Sequence, residues 1–135
     1  MKLHRIATLV FALAAAGAVN AQTLTARASI PFNFVVNGKT LPAGNYVIYE
    51  TIQSRTLVIR GMDNHAAALA VPASVAPDIA QASGQLVFHR YGDLYFLSQA
   101  WVPGEGRAIL APGRVEKELS AKRNVTGDSV LVALR

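Results

Sequence analysis

Every second residue from Ala28 to Val36 is apolar, and this alternation constrains the fold more than any other feature of the chain. Successive side chains of a β-strand point to opposite faces of a sheet, so a period of two predicts a strand with one buried face. Pro31 has no backbone N–H to donate, which favours a position at the edge of a sheet. The alternation returns over residues 130–134, and we expect this last strand to pair with the first.

A hairpin is predicted around Gly92-Asp93, which separates the β-rich runs 85–91 and 94–102. A two-residue turn of this composition is a strong hairpin signal, and it fixes which residues lie opposite each other. The predicted pairs are His89 with Phe96 and Arg90 with Tyr95. One face is predicted to carry Leu86, Phe88, Tyr95, Leu97 and Trp101, with His89 and Tyr91 on the other.

The remaining segments are predicted as further short strands, loops and one helix. Residues 46–52 and 56–60 are predicted to form a second hairpin, 65–71 a short strand, and 72–84 and 103–113 loops, the first with a helical turn around 76–82. Residues 114–122 are predicted to form a helix. Val115 and Leu119 lie four residues apart and are predicted to face the protein, and Glu118 and Lys122 have the spacing of an ion pair.

Many short strands and one late helix predict an all-β fold, a small antiparallel barrel or sandwich of about seven strands with one short C-terminal helix. The chain has 135 residues and no cysteine, so its stability must come from burial and strand pairing. We expect residues 22–135 to form a single domain, and Leu41 to fill one end of its core.

The first 21 residues have the composition of a secretory signal peptide. A basic start with Lys2 and Arg5 is followed by an apolar run and by Val19-Asn20-Ala21, whose small residues suit cleavage between Ala21 and Gln22. The apolar run is shorter than a membrane-spanning helix, so no membrane insertion is expected after cleavage. The predicted location is therefore periplasmic or secreted.

The charge of the chain gives little support to a polyanionic partner. The net charge is +5, but two of the basic residues lie in the leader. A nucleic-acid-binding domain would gather its basic residues on one face. We expect no nucleic-acid partner for this chain. We also expect no metal and no other cofactor, because the histidines are few, have no ligand spacing and are accompanied by scattered acids.

Three motifs carry a resemblance to a group of small exported proteins of Gram-negative soil bacteria. They are Ile30-Pro31-Phe32-Asn33-Phe34, Leu41-Pro42-Ala43-Gly44-Asn45-Tyr46, and the segment Phe88-His89-Arg90-Tyr91-Gly92-Asp93-Leu94-Tyr95-Phe96-Leu97. The similar region spans residues 30–119. The resemblance implies an all-β secreted fold and transfers no catalytic residues.

The polar and aromatic residues of the central hairpin are the candidate binding site: His89, Arg90, Tyr91, Tyr95 and Trp101. Aromatic rings with one polar end stack on sugars or anchor a partner protein. The structural alternative is that these rings fill a small β core, that Arg90 stacks on Tyr95, and that His89 is a hydrogen-bonded packing residue.

The sequence therefore predicts a non-enzymatic exported β domain that binds a small ligand, a glycan or a partner protein at the cell envelope. Two alternatives remain. A small outer-membrane β-barrel would need longer strands than 56–60 provides. A hydrolase built around His89 would need a nucleophile and an acid that meet in the fold without a recognisable motif.

Overall fold

The computed structural model describes residues 25–51, 53–76, 84–104, 106–123 and 127–135. The predicted signal peptide, its cleavage site at Ala21 and Gln22, and most of the helical turn predicted at 76–82 lie outside these ranges. The described residues form these elements: β1 Ala26–Ile30, β2 Phe34–Val36, β3 Lys39–Leu41, β4 Gly44–Glu50, β5 Leu57–Gly61, β6 Ala67–Ala70, β7 Ser74–Ala76, β8 Gln85–Tyr91, β9 Leu94–Val102, β10 Gly106–Ile109, α1 Arg114–Arg123 and β11 Asp128–Ala133.

The strands form two sheets, which confirms the all-β fold class in its sandwich form. Sheet A has the order β1-β4-β5-β6, and sheet B has the order β11-β8-β9-β10-β7, with β2 and β3 attached beside β9. Within the described ranges the sheets do not close into a barrel. Side chains from both sheets bury one shared hydrophobic core.

The strand predicted over 28–36 is divided into two at Pro31. β1 ends at Ile30, at the edge of sheet A, and the chain then crosses to β2 in sheet B. Proline cannot continue the ladder with a donor, and Pro31 lies between an edge strand and the next strand, in neither of them, so the predicted single strand is wrong. Ile30, Phe34 and Val36 are nevertheless all buried, because both sheets face the same core.

The two segments predicted as loops each contain a strand. β7 lies in the first and β10 in the second, and the two pair with each other antiparallel at one edge of sheet B. Their runs of three and four residues are too short for a recognisable period. Together with β3 and the division of 28–36 into β1 and β2, they bring the described strands to eleven rather than about seven.

The last strand, β11, pairs with β8 and not with β1, so the predicted partner was wrong. Backbone hydrogen bonds nevertheless join β1 to the residues that follow β11. The backbone N–H and C=O groups of Arg27 and Arg135 exchange two hydrogen bonds of 3.1 and 2.8 Å. This pair joins the edge of sheet A to the end of the chain.

The central hairpin has the predicted register at its turn, with His89 opposite Phe96 and Arg90 opposite Tyr95. A β-bulge then interrupts the pairing, because Val87 lies opposite Gln99 while Phe88 lies opposite Leu97. Ser98 is the extra residue. A bulge of this kind reverses the side-chain alternation beyond it, so Trp101 does not share a face with Tyr95 as predicted.

The three motif segments meet in the core as one group of aromatic rings. Phe32 stacks on Tyr95 at 3.8 Å between ring centroids and meets Phe88 edge-on at 5.0 Å. Phe34 meets Phe88 and Tyr46 edge-on at 5.6 and 5.1 Å. Leu41 is fully buried, as predicted. Five aromatic residues of these motifs therefore stabilise the packing of the two sheets.

The segment 41–46 also carries a buried polar contact. Tyr46 is fully buried, and its hydroxyl donates a hydrogen bond to the carbonyl of Pro42, four residues upstream. Asn64 Nδ2 donates to the same hydroxyl at 3.4 Å. A tyrosine that bonds back to the preceding backbone is a recurrent corner device in β-sandwiches. Here it fixes the entry of the chain into β4.

The free edge of β6 is covered by side chains of the β2–β3 hairpin. Asn37 Nδ2 donates to the carbonyl of Leu69 at 3.2 Å, and Lys39 Nζ donates to the carbonyl of Ala67 at 2.7 Å. Asn37 and Gly38 form the predicted turn and have φ values of 49° and 77°. Such positive values at both central positions are typical of a tight hairpin turn. The turn places the side chains of Asn37 and Lys39 beside β6.

Candidate functional site

The one described helix, α1, presents a carboxylate to the sheet rather than an apolar stripe. Glu116 is its only buried residue, whereas Val115 is 54% exposed. The predicted inward face is therefore wrong for Val115, whereas Leu119 is half-buried. Glu118 bonds to Arg114 at 3.3 Å instead of forming the expected pair with Lys122.

The start of α1 explains why a glutamate stands at this position. The carbonyl of Gly113 accepts the N–H of Lys117 at 3.0 Å, so Gly113 is the residue that caps the helix. Glu116 is then the third residue of the first turn. A carboxylate there lies close to the unpaired N–H groups and the positive end of the helix dipole, which stabilises negative charge.

Glu116 is held by the histidine of the central hairpin. His89 lies on β8, and its Nδ1 is 2.8 Å from Glu116 Oε1, with the side chains 21% and 6% exposed. When the carboxylate is ionised it can only accept, and His89 Nδ1–H is then the donor of this bond. The hydrogen bond expected of His89 is found, and its partner is a residue that the prediction did not include.

A small apolar cluster lies next to this pair on the outer face of sheet B. Val87, Tyr91 and Phe96 are buried but are not part of the main core cluster. Tyr91 and Phe96 meet edge-on at 5.8 Å. The outer face of the central hairpin thus carries apolar side chains as well as the polar His89, which meets α1 through Glu116.

A cleft of about 630 Å³ opens beside the first turn of α1. Four parts of the chain contribute to it: the β2–β3 hairpin, the end of β6, β9, and residues 110–116. Phe96 and Leu97 supply apolar surface, and Asn37, Thr40 and Glu116 are among its polar side chains. Glu116 therefore has two environments, since it touches His89 and also borders the cleft.

The five side chains predicted as one site are distributed over three places. His89 and Tyr91 lie on the outer face near α1. Arg90 and Tyr95 lie together elsewhere, with the Arg90 guanidinium 5.8 Å from the Tyr95 ring, so the predicted stacking is confirmed. Tyr95 also stacks on Phe32. The structure does not bring these residues into one contiguous surface.

Trp101 forms a separate polar and aromatic group at the other end of the hairpin. Its Nε1 donates to Gln99 Oε1 at 2.9 Å, and the Arg107 guanidinium lies 5.0 Å from its ring centroid. Arg107 Nε is buried without a hydrogen-bond partner. Because Arg107 pairs directly with Trp101 across β9 and β10, the stacking follows from the register of the strands.

Two residues of the site were not found by sequence reasoning. Glu116 gave no signal, because its burial depends on where α1 meets sheet B and not on helix periodicity. Ser129 lies directly opposite His89 in the β8–β11 ladder. A strand pairing between residues forty positions apart could not be deduced from the hydrophobic pattern, which favoured a different partner for β11.

In the described ranges no group of three or more His, Cys, Asp or Glu side chains is placed to hold a metal ion. No helix in these ranges is both long and apolar enough to cross a membrane. Comparisons of the chain with protein-family models, with curated proteins and with solved structures found no match.

Proposed function

We propose that this chain is an exported, non-enzymatic β-sandwich domain that binds a small and largely apolar ligand in the cleft beside α1. The observation that carries the proposal is the cleft itself. Its volume of about 630 Å³ lies within the range of small-molecule sites, roughly 300 to 1,000 Å³. Most of its lining residues are apolar and a few polar side chains lie among them, a combination that is also typical of such sites.

Exposed apolar side chains along the cleft support this ligand class. Val71, Leu94 and Val115 border the cleft and are 75%, 45% and 54% exposed. Each lies in a different part of the chain, yet all three converge on one opening. Exposed apolar surface that is gathered in this way marks binding sites. An apolar ligand would remove these side chains from water and gain the free energy of that burial.

The other partners predicted from the sequence fit the cleft less well. A glycan is bound through aromatic platforms and many hydrogen bonds, and Trp101 does not border the cleft. The proposed location, periplasmic or secreted, rests on the leader over residues 1–21. A partner protein at the cell envelope remains an outcome of the test below.

The proposal is tested with Nile red, a neutral apolar dye whose fluorescence rises on leaving water. We expect saturable binding to the purified exported chain. The double variant V71N/V115N should weaken binding by about fivefold, because it makes the cleft border polar. The matched control L69N/L131N changes two side chains of similar exposure that do not border the cleft, and should bind like the parent.

Two results would contradict the proposal. One is the absence of saturable dye binding by a chain whose thermal unfolding is cooperative. The other is an equal loss of binding in both double variants, since that would indicate a non-specific effect of surface polarity. Dye binding that survives in V71N/V115N but is displaced by an envelope protein would indicate a protein partner.

A second candidate function, a hydrolase, is supported by one specific arrangement. His89 is bonded to a carboxylate through Nδ1 and lies directly opposite Ser129 on the neighbouring strand. Acid, histidine and serine in this order are the components of nucleophilic acyl transfer. No hydrogen bond joins Ser129 to His89 among the described contacts, so the ligand-binding proposal is preferred.

The hydrolase is tested with p-nitrophenyl acetate and the variants S129A and H89A. Under this candidate both variants abolish turnover, and the serine reacts covalently with a fluorophosphonate. Turnover at the rate of free imidazole, unchanged in S129A, would eliminate the hydrolase and leave the binding proposal intact.

A further inference from the structure

We infer that the ligand of the cleft carries a protonated amine, and that the amine is received by the carboxylate of Glu116. This inference rests on the proposed function and specifies the ligand class as a single apolar chain with a cationic head. The observation behind it is the double environment of Glu116, which is buried, holds His89, and borders an otherwise mainly apolar cleft.

The carboxylate has acceptor capacity beyond its bond to His89. An ionised carboxylate offers about four acceptor positions on two oxygens. The bond from His89 Nδ1 to Oε1 occupies one of them. A primary ammonium brings three donors and a positive charge, and bonds of this kind are stronger than those between neutral groups. Burial strengthens the attraction further, because water screens a charge pair less there.

The basic side chains near the cleft do not favour the opposite ligand charge. Arg114 borders the cleft but is largely exposed and bonded to Glu118. Lys39 is bonded to the carbonyl of Ala67 at the edge of β6. An anionic head would therefore meet one exposed and already paired cation, whereas its approach to the inner wall would meet Glu116. The positive end of α1 also lies at the cleft, but Glu116 stands in this first turn and already compensates it. A carboxylate ligand would therefore have to compete with the Glu116 carboxylate.

His89 acts in this arrangement as a positioning residue. It lies on the rigid central hairpin and approaches Glu116 from the sheet. Its bond fixes the carboxylate where α1 crosses sheet B, and no apolar side chain of α1 is buried to do this. The loss of His89 should leave the cleft border unchanged and weaken amine binding by freeing the carboxylate to turn toward solvent.

The test compares octylamine, octanol and octanoate as competitors of Nile red at neutral pH, where the alkylamine is protonated as a lysine side chain is. These three probes share one chain length and differ in head group. We expect octylamine to bind about tenfold more tightly than octanol, and octanoate to bind most weakly. The comparison needs only the parent protein, so it decides the inference even if a variant fails to fold.

Three variants then test whether Glu116 is the source of the preference for octylamine over octanol. E116Q should bring octylamine to the affinity of octanol without changing octanol itself. E50Q is the matched control, since it makes the same change at a glutamate of β4 that does not border the cleft, and it should keep the preference for the amine. H89Q should give a smaller loss for octylamine and none for octanol.

The failure of this inference differs from the failure of the proposed function. Equal binding of the three probes, or tighter binding of octanoate, would overturn the amine assignment while leaving an apolar site. An equal loss of all three probes in a folded E116Q would also overturn it, because Glu116 would then matter through packing alone. If no probe displaces the dye and no dye is bound, the proposed function fails as well.

Discussion

At the residue scale, the contact between His89 and Glu116 contributes more to local stability than the exposed ion pair on the same helix. That exposed pair joins Arg114 and Glu118. Taking a carboxylate out of water costs several kcal/mol unless a partner compensates for it. Glu116 is 6% exposed and has such a partner, whereas Arg114 and Glu118 are 92% and 60% exposed and form their bond in water. Because each pair includes a glutamate of α1, the two pairs allow the effect of burial on the strength of an ion pair to be compared on one helix.

Double-mutant cycles should separate the two pairs. For His89→Ala and Glu116→Ala we expect a coupling free energy of about 1 to 2 kcal/mol, because each single change leaves a partly buried polar group without its partner. For Arg114→Ala and Glu118→Ala we expect at most about 0.5 kcal/mol, since solvent screens the pair. Urea unfolding of the six variants measures both. Equal couplings would show that burial does not determine the strength of the histidine contact.

The buried hydroxyl of Tyr46 provides a second prediction at this scale. Tyr46→Phe removes the donor to the Pro42 carbonyl inside the core and should lower the free energy of unfolding by about 1 to 2 kcal/mol. Tyr49→Phe is the control, because Tyr49 lies on the same strand but is only half-buried, on the alternate face. A loss of the same size in both variants would assign the effect to the strand and not to the corner.

At the scale of elements, the central hairpin depends on a turn that requires glycine. Gly92 has a φ of 62°, and Asp93 has no positive φ. A positive φ at the first central position alone belongs to the turn type that places glycine there, whose twist matches that of the paired strands. The hairpin in turn positions His89 and Phe96 beside the cleft.

Gly92→Ala should therefore lower the free energy of unfolding by about 1 kcal/mol, the approximate cost of a left-handed backbone for a residue with a Cβ. Asp93→Ala, in the same turn but with ordinary φ, should change it by less than about 0.5 kcal/mol. Chemical denaturation of both variants checks the difference. A greater loss for Asp93→Ala would mean that its side chain, and not the backbone of Gly92, determines the turn.

The strands, turns and helix also show how much of this fold can be predicted from the sequence. The turns at Asn37-Gly38 and Gly92-Asp93, the hairpin register and the buried Leu41 follow from local rules, and all are found. Residues that depend on distant packing were not predicted. The bulge at Ser98, which reverses Trp101, has no local marker, and the burial of Glu116 requires knowing which sheet α1 meets.

At the scale of the whole molecule, the two sheets share one core and should unfold together. Ile48 and Ile59 of sheet A and Phe88 and Leu97 of sheet B belong to the same buried cluster. Separation of the sheets would expose this surface on both, so a state with only one sheet folded is unfavourable.

We expect coincident transitions from two probes in urea. Fluorescence of Trp101, the only tryptophan, reports on sheet B, and amide hydrogen exchange at Ile48 and Ile59 reports on sheet A. The two midpoints should agree, with one slope for the dependence of stability on denaturant. An earlier transition at the isoleucine amides would show that sheet A is an independent unit.

The side chains that cover the free edge of β6 have a consequence for crowded conditions. A strand from a neighbouring molecule would have to displace Asn37 and Lys39 before it could accept or donate a bond there. At the opposite edge of sheet A, Arg27 is already bonded to Arg135. Fibril-like growth is thereby hindered at both edges of sheet A, and among the described strands chain-to-chain extension of the sandwich is favoured at the edges of sheet B, such as β7 and β11, which each pair on one side.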